Sequence, residues 1–291
     1  MFVDFDFRPR GLSMPRAGAA PRPAWSILVP FFNERDFLVG TIESLAAQTV
    51  PVRLVLIDNA STDGGGALAK ATCERLGVEH ELIVERCAGK VPALAAGLRR
   101  VVTPYVATCD ADTWYPPHYL AEAQGVLEGG HAVAGAFFVG TDADRQSLRR
   151  KGRQIAATAA LLRGQCHTGG AGQAFRTETL RRAGGFDAAR WGWVLEDHEV
   201  IHRVLKHGTM GYGRDLWCCP APRPRDRASI RWTLGERILY CVAAPVAGDW
   251  FFYRFLAGRL KSRRLTSERI RERQFQDVGR LLASTPHPVC G

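Results

Sequence analysis

Ser26-Ile-Leu-Val-Pro30, the helix-patterned stretch 36–48 and Arg53-Leu-Val-Leu-Ile-Asp58 form the segment whose reading decides the fold. Both apolar runs are short and end on Pro or Asp, the pattern of buried parallel strands. Between them Phe37, Leu38, Ile42 and Leu45 recur at helical spacing, with Thr41 and Glu43 expected to face outward. The unit is strand, helix, strand. The alternation continues with a helix over 67–76, a strand over 81–85, a helix over 91–102 and a strand over 105–109. It predicts an α/β fold: an open, Rossmann-like, mostly parallel sheet with helices on both faces.

Ligands of such sheets bind beyond the carboxyl ends of the strands. Polar residues collect there: Asn33-Glu34 after the first strand, Asp58-Asn-Ala-Ser-Thr-Asp63 after the second, and Cys109-Asp-Ala-Asp112 after the fourth. Asp110 and Asp112 stand at i and i+2, so two hard oxygen ligands can converge on one divalent cation. Taken alone, the pair also suits a turn, where Asp bonds its local backbone. Three acidic clusters at one edge repel one another unless a cation or donors intervene, which favours the binding reading. The second half is less regular. A Gly-rich segment over 164–172 leads to Gln173-Ala-Phe-Arg176 and a helix over 178–183, and a further helix is expected over 195–206.

The chain has 291 residues, 46% of them hydrophobic, enough for one large α/β domain with an appendage. Its formal charge of +10 suits an anionic partner. Eight cysteines, with no Cys-x-x-Cys pair, read as reduced thiols in a cytosolic setting and exclude zinc-finger and redox classes. No signal peptide is visible at the start; residues 1–23 read as a flexible leader, within which Met14 is an alternative start. The apolar stretch 238–258 is interrupted by Asp249, Arg254 and Pro245-Val-Ala-Gly248, which favours surface attachment or core burial over a membrane span.

Val29-Pro-Phe-Phe-Asn-Glu34, Ile57-Asp-Asn-Ala-Ser-Thr-Asp63, Gly89-Lys90, Cys109-Asp-Ala-Asp112, Gly184-Gly-Phe-Asp187 and Glu196-Asp197 occur in the order and at the spacings of the family 2 glycosyltransferases. The chain resembles a GT-A-fold member of that family over about residues 25–208. The resemblance implies an inverting transfer of one sugar from a nucleotide-diphosphate sugar, a UDP-sugar first, with Mg2+ or Mn2+ bridging the diphosphate. It implies that Pro30, Phe31, Glu34 and Asp58 line the base and ribose pocket, that Lys90 contacts base or phosphates, and that Asp112 with Asp110 holds the metal. It also implies Asp197 as the base that deprotonates the acceptor. Expected partners are the donor, a glycan or lipid-linked acceptor and an anionic membrane surface, with no nucleic acid. The domain expectation is a GT-A unit over 24–220 and a basic, mainly helical extension over 221–291. The enzyme is expected in the cytoplasm, peripheral on the inner face of the membrane, serving cell-envelope glycan or glycolipid synthesis.

Two departures from the family pattern stand out. Processive members carry Gln-x-x-Arg-Trp, whereas this chain has Ala228-Ser-Ile-Arg231-Trp232, which argues against processive synthesis. Ala95 replaces a frequent Asn after the Gly-Lys motif, leaving donor contacts there open. Trp191 and Trp193 either stack on a sugar face or fill a core. Two rival readings exist. His198-Glu-Val-Ile-His202 matches the zinc metallopeptidase pattern, and a nonenzymatic nucleotide-sugar-binding protein would keep the same fold. Gly64-Gly-Gly66 is not a dinucleotide fingerprint, so a Rossmann dehydrogenase is excluded. Arg259, Lys261, Arg263 and Arg264 are expected to meet anionic lipid.

Overall fold

The computed structural model describes residues 22–162, 164–222 and 232–266. β1 (Trp25–Phe31), α1 (Arg35–Ala46), β2 (Val52–Asp58), α2 (Gly65–Leu76), β3 (Glu79–Val84), α3 (Lys90–Arg100) and β4 (Tyr105–Thr108) alternate as the pattern predicts. β1 pairs in parallel with β2 and with β4, and β2 with β3. Pairing then changes sense. β7 (Gln173–Arg176) runs antiparallel to both β4 and β6 (Val133–Phe138), while β8 (Met210–Pro220) runs parallel to β6 and antiparallel to the short β5 (Thr113–Trp114). The order across the sheet is β3-β2-β1-β4-β7-β6-β8-β5. Because β7 opposes β4, Gln173 at its start sits beside Thr108 at the end of β4. The Gly-rich turn Gly170–Gly172 is thereby delivered to the edge where Asp110 and Asp112 lie.

Side chains of β1 alternate between two cores. Trp25, Ile27, Val29 and Phe31 join α1, α2 and α4 (Tyr119–Glu128), whereas Leu28 joins α3, α6 (Thr177–Arg182) and α7 (Glu196–Val204). A strand covered on both faces has no use for polar alternation, which explains the unbroken apolar runs. Each fully buried Leu or Ile contributes about 1.5–3 kcal/mol against the entropy of ordering it. Thr41 corrects one expectation: it is buried, not outward. It lies three residues from Leu38 and four from Leu45, hence on the core face, and its hydroxyl sits 2.8 Å from Ala111 O and 3.0 Å from Thr113 O. Glu43 is exposed as expected.

A third core joins Trp191 and Val194 to α8 (Leu234–Trp250), a π-helical turn (Phe251–Leu256) and α9 (Ala257–Ser262). Trp191 is buried and donates Nε1–H to Val194 O at 3.0 Å, so it fills a core. α8 opens on a capping box between Thr233 and Glu236, and Pro245 with the non-helical Ala247 kinks it. Buried Glu236 holds Arg259 and Arg263, each at 2.7 Å, so two of the four cations expected at lipid serve this packing. Among the described residues, no helix is long and apolar enough to cross a membrane. Most of the expected leader, Arg231 with the stretch 223–231, and everything beyond Thr266 lie outside the described residues.

Candidate active site

Short polar contacts stitch the loops after β1 and β2 together. Asn33 N–H donates to Ser61 Oγ at 3.0 Å, Thr62 N–H to Asn33 Oδ1 at 2.7 Å, and Arg35 N–H to Asp63 Oδ2 at 2.9 Å. Asn33 and Ala60 adopt left-handed backbone, φ 52° and 62°. Such strain persists where surrounding contacts over-determine the loop. Pro30 and Phe31 sit opposite Ile57 and Asp58 across the β1–β2 pair, with Phe31 buried. Asp58 Oδ1 accepts Ser61 N–H at 2.8 Å, and Glu34 offers its carbonyl to the first turn of α1. Asn59, buried, donates to Glu85 O and Cys87 O at 2.8 and 2.7 Å and accepts Gly89 N–H at 3.0 Å. It fixes the entrance to α3, and therefore Lys90.

Lys90 is the hub of the edge. Its Nζ lies 2.5 Å from Asp110 Oδ1 and 3.8 Å from Glu196 Oε1. Burial opposes its charge, yet Asp110, Glu196 and Asp197 together hold its pKa above the ordinary lysine value. Asp110 is set by Tyr115, whose hydroxyl accepts Asp110 N–H and donates to Ala171 O, both at 3.0 Å. Asp112 is buried two residues further on, its carbonyl accepting Ala221 N–H at 2.7 Å, and Thr41 braces the same turn from below.

Glu196 and Asp197 open α7 behind Leu195, which is left-handed at φ 66°. Asp197 Oδ2 accepts Gly170 N–H at 2.9 Å, while Oδ1 accepts His198 N–H at 2.8 Å and the His198 ring Nδ1 at 2.9 Å. A carboxylate that accepts there makes Nδ1 the protonated nitrogen. Burial works against ionising Asp197, but His198, Lys90 and the backbone donors outweigh it and lower its pKa. Its neighbour goes the other way: burial first, then Asp197 and Asp110, against the pull of Lys90, raise Glu196 to about 7. Lys90, Asp110, Glu196, Asp197 and Gly170 thus meet in one cluster. Asp58, Pro30, Phe31 and Glu34 stay on the β1–β2 side of the edge. Sequence reasoning missed Thr41, Tyr115 and Gly170. The helical spacing of Thr41 was the readable signal, whereas Tyr115 and Gly170 arrive through long-range packing.

The His198-Glu-Val-Ile-His202 pattern is used for structure. Buried Glu199 pairs with Arg203 Nε and Nη2 at 2.7 and 2.9 Å and accepts the Tyr253 hydroxyl at 2.6 Å, so it is no available base. His202 lies 2.8 Å from Asp249 Oδ1 and stacks on Phe252, and the His198 ring packs on Trp232 and Tyr240.

The sheet order and the carboxylate-bearing edge define an α/β fold of the GT-A glycosyltransferase class. Solved structures share it: a mannosyltransferase from Pyrobaculum calidifontis in complex with GDP-Man and Mn2+ aligns at 21% identity and TM-score 0.58, over 84% of this chain and 77% of that one. S. aureus TarS 1-349 in complex with UDP-GlcNAc aligns at 17% identity and TM-score 0.52, over 75% of this chain and 64% of that one. The profile described as Glycosyl transferase family 2 matches residues 26–183, just over half of the 291 residues, and the chain belongs to that family. An undecaprenyl-phosphate 4-deoxy-4-formamido-L-arabinose transferase of Serratia proteamaculans is 30% identical over 115 residues, 38% of this chain. That match spans only 35% of the relative's length.

Proposed function

We propose that the protein is an inverting, non-processive glycosyltransferase that moves one sugar from a nucleotide-diphosphate sugar, a UDP-sugar first, to a lipid-linked or glycan acceptor. The observation that carries this reading is the Lys90 cluster: one ammonium touches Asp110 on the donor side and approaches Glu196 on the acceptor side. We assign the transferase unit to residues 24–220 and treat 221–291 as its extension.

On this reading Pro30, Phe31, Glu34 and Asp58 hold the base and ribose, placing the diphosphate over the turn after β4. The donor chemistry of that turn fits a hard divalent cation, Mg2+ or Mn2+, held by Asp112 and Asp110. Such ions take one or two carboxylates and complete their shell with phosphate oxygens and water. When bound, the ion offsets charge on the leaving diphosphate. Lys90, already cationic, carries a second positive charge to the same place. Across the cluster, Asp197 stays ionised because its pKa is lowered, and it takes the acceptor proton as the new bond forms on the face opposite the leaving group. Gly170 N–H and His198 orient the carboxylate through the contacts already described. The Serratia relative, named for undecaprenyl phosphate, supports a lipid-linked acceptor and a role in the cell envelope, with the enzyme peripheral on the cytoplasmic face of the membrane.

Thermal unfolding with a panel of UDP- and GDP-sugars, with Mg2+ or Mn2+ and with chelator, tests the reading. A donor that raises Tm only with metal, and that is turned over with a polyprenyl phosphate, supports it. Donor stabilisation without turnover on any lipid or glycan acceptor would leave only a binding protein.

A further inference from the structure

We propose that the outward face of α8 is a membrane-interface surface, which seats the protein on the headgroup layer of an anionic bilayer with the helix lying in the membrane plane. Leu234, Ile238, Val242, Val246 and Trp250 are 75%, 57%, 70%, 87% and 49% exposed. Leu234, Ile238, Val242 and Val246 recur every four residues, so they form a ridge that winds slowly about the helix, about 18 Å long at 1.5 Å per residue, and Trp250 follows beyond the kink at Ala247. Exposed Cys241 and Pro245 fill the spaces beside it. Leu161, 82% exposed at the end of α5 (Arg145–Leu161), adds a further apolar side chain close to where Gly164 abuts Pro245. A contiguous apolar patch of this kind marks an interaction surface.

The stripe faces outward because the other side of α8 is anchored. Cys166 N–H donates to the Tyr240 hydroxyl at 2.9 Å, Gln165 Nε2 donates to Cys241 O at 2.8 Å, and Ala243 and Ala244 are buried. Charge selects the occupant. Exposed Arg237 stands near one end of the stripe, and exposed Arg254, Lys261 and Arg264 stand beyond the other. The acidic residues of α8 are neutralised, Glu236 by Arg259 and Arg263, and Asp249 by Lys206 at 2.5 Å. An apolar centre with cationic ends and a terminal Trp suits an anionic interface. Tyr240 and Trp232 also pack on His198, so the Asp197 side of the cleft lies about one helix diameter, ~10 Å, from the proposed bilayer. Only this last consequence, delivery of a lipid-borne acceptor, rests on the transferase reading.

Flotation of the full chain with vesicles of phosphatidylcholine plus phosphatidylglycerol, and with phosphatidylcholine alone, tests the proposal. The parent should float with the anionic vesicles. The Val242→Glu/Val246→Glu pair should partition about a hundredfold less, at unchanged Tm, because both positions are exposed in the fold. Arg237→Gln/Arg254→Gln should lose about tenfold on the anionic vesicles only. Nucleotide-sugar stabilisation should match the parent in both variants, so failure of this surface and failure of the transferase reading register separately. Equal flotation of the Glu pair and the parent overturns the proposal. So does a parent that runs as a dimer by light scattering and becomes monomeric in the Glu pair, an outcome that gives the face to a second copy.

Discussion

The strand-end edge and the start of α7 solve the same problem, holding acidic side chains together, in opposite ways. At the edge, Asp58 and Asp63 are satisfied by backbone N–H groups two or three residues away or one loop over. Each is an ordinary turn carboxylate whose position follows from the loop it sits in. At α7 two consecutive acids share one buried neighbourhood and part company. Glu196, half-buried beside Asp197, is raised to about 7, while Asp197 gathers the available donors and is lowered despite its partial burial. Sequence neighbours with one functional group thus acquire different chemistry through their hydrogen bonds. The edge is suited to binding, and the α7 start to moving a proton.

Four substitutions would break or sharpen that contrast. The largest effect is expected from Asp197→Asn, which should lower transfer by about 10³-fold or more, measured as initial rate at saturating donor. Glu236→Ala should next loosen the helical extension: it removes the capping-box acid of α8 and the carboxylate that ties down Arg259 and Arg263, both open enough to water to be resolvated, at a cost of about 1–2 kcal/mol, read from denaturant unfolding. His198→Phe keeps a ring against Trp232 but removes a donor that lowers the Asp197 pKa. The sign follows directly. The Asp197 pKa rises, the acidic limb of the rate profile moves to higher pH, and activity on the acidic side should fall while the alkaline plateau is kept. Thr41→Val should cost least, about 1 kcal/mol of stability with a few-fold rise in donor KM, because the turn carrying Asp110 and Asp112 loses its brace.

The same contrast explains what the sequence reveals. β1 through β4 and their helices follow from period-two and helical spacing because each unit closes locally, and the strand-end polar residues are placed once the strands are known. The Gly89-Lys90 motif marks Lys90 as a donor contact, but its place between Asp110 and Glu196 is hidden in the sequence: α3 and α7 are far apart in the chain and meet through the folding of β7 beside β4. The polarity of Thr41 points outward and its position between Leu38 and Leu45 points inward; position wins, because a hydroxyl facing two loop carbonyls is well accommodated inside. The His198-to-His202 pattern shows the converse, a catalytic spelling put to use in packing. Nothing local in the sequence distinguishes a Glu199 available to a metal from one held by Arg203 and Tyr253.

The central claim is that the edge binds the donor and that Asp197 acts only afterwards. The most direct test measures, on one pair of proteins, metal-dependent stabilisation by the nucleotide sugar and the rate of sugar transfer. Asp197→Asn should retain the parent's donor-induced rise in Tm while losing transfer, and Asp112→Ala should lose both. If Asp197→Asn transfers at the parent's rate, or loses donor stabilisation as fully as Asp112→Ala does, the division between the two regions is wrong.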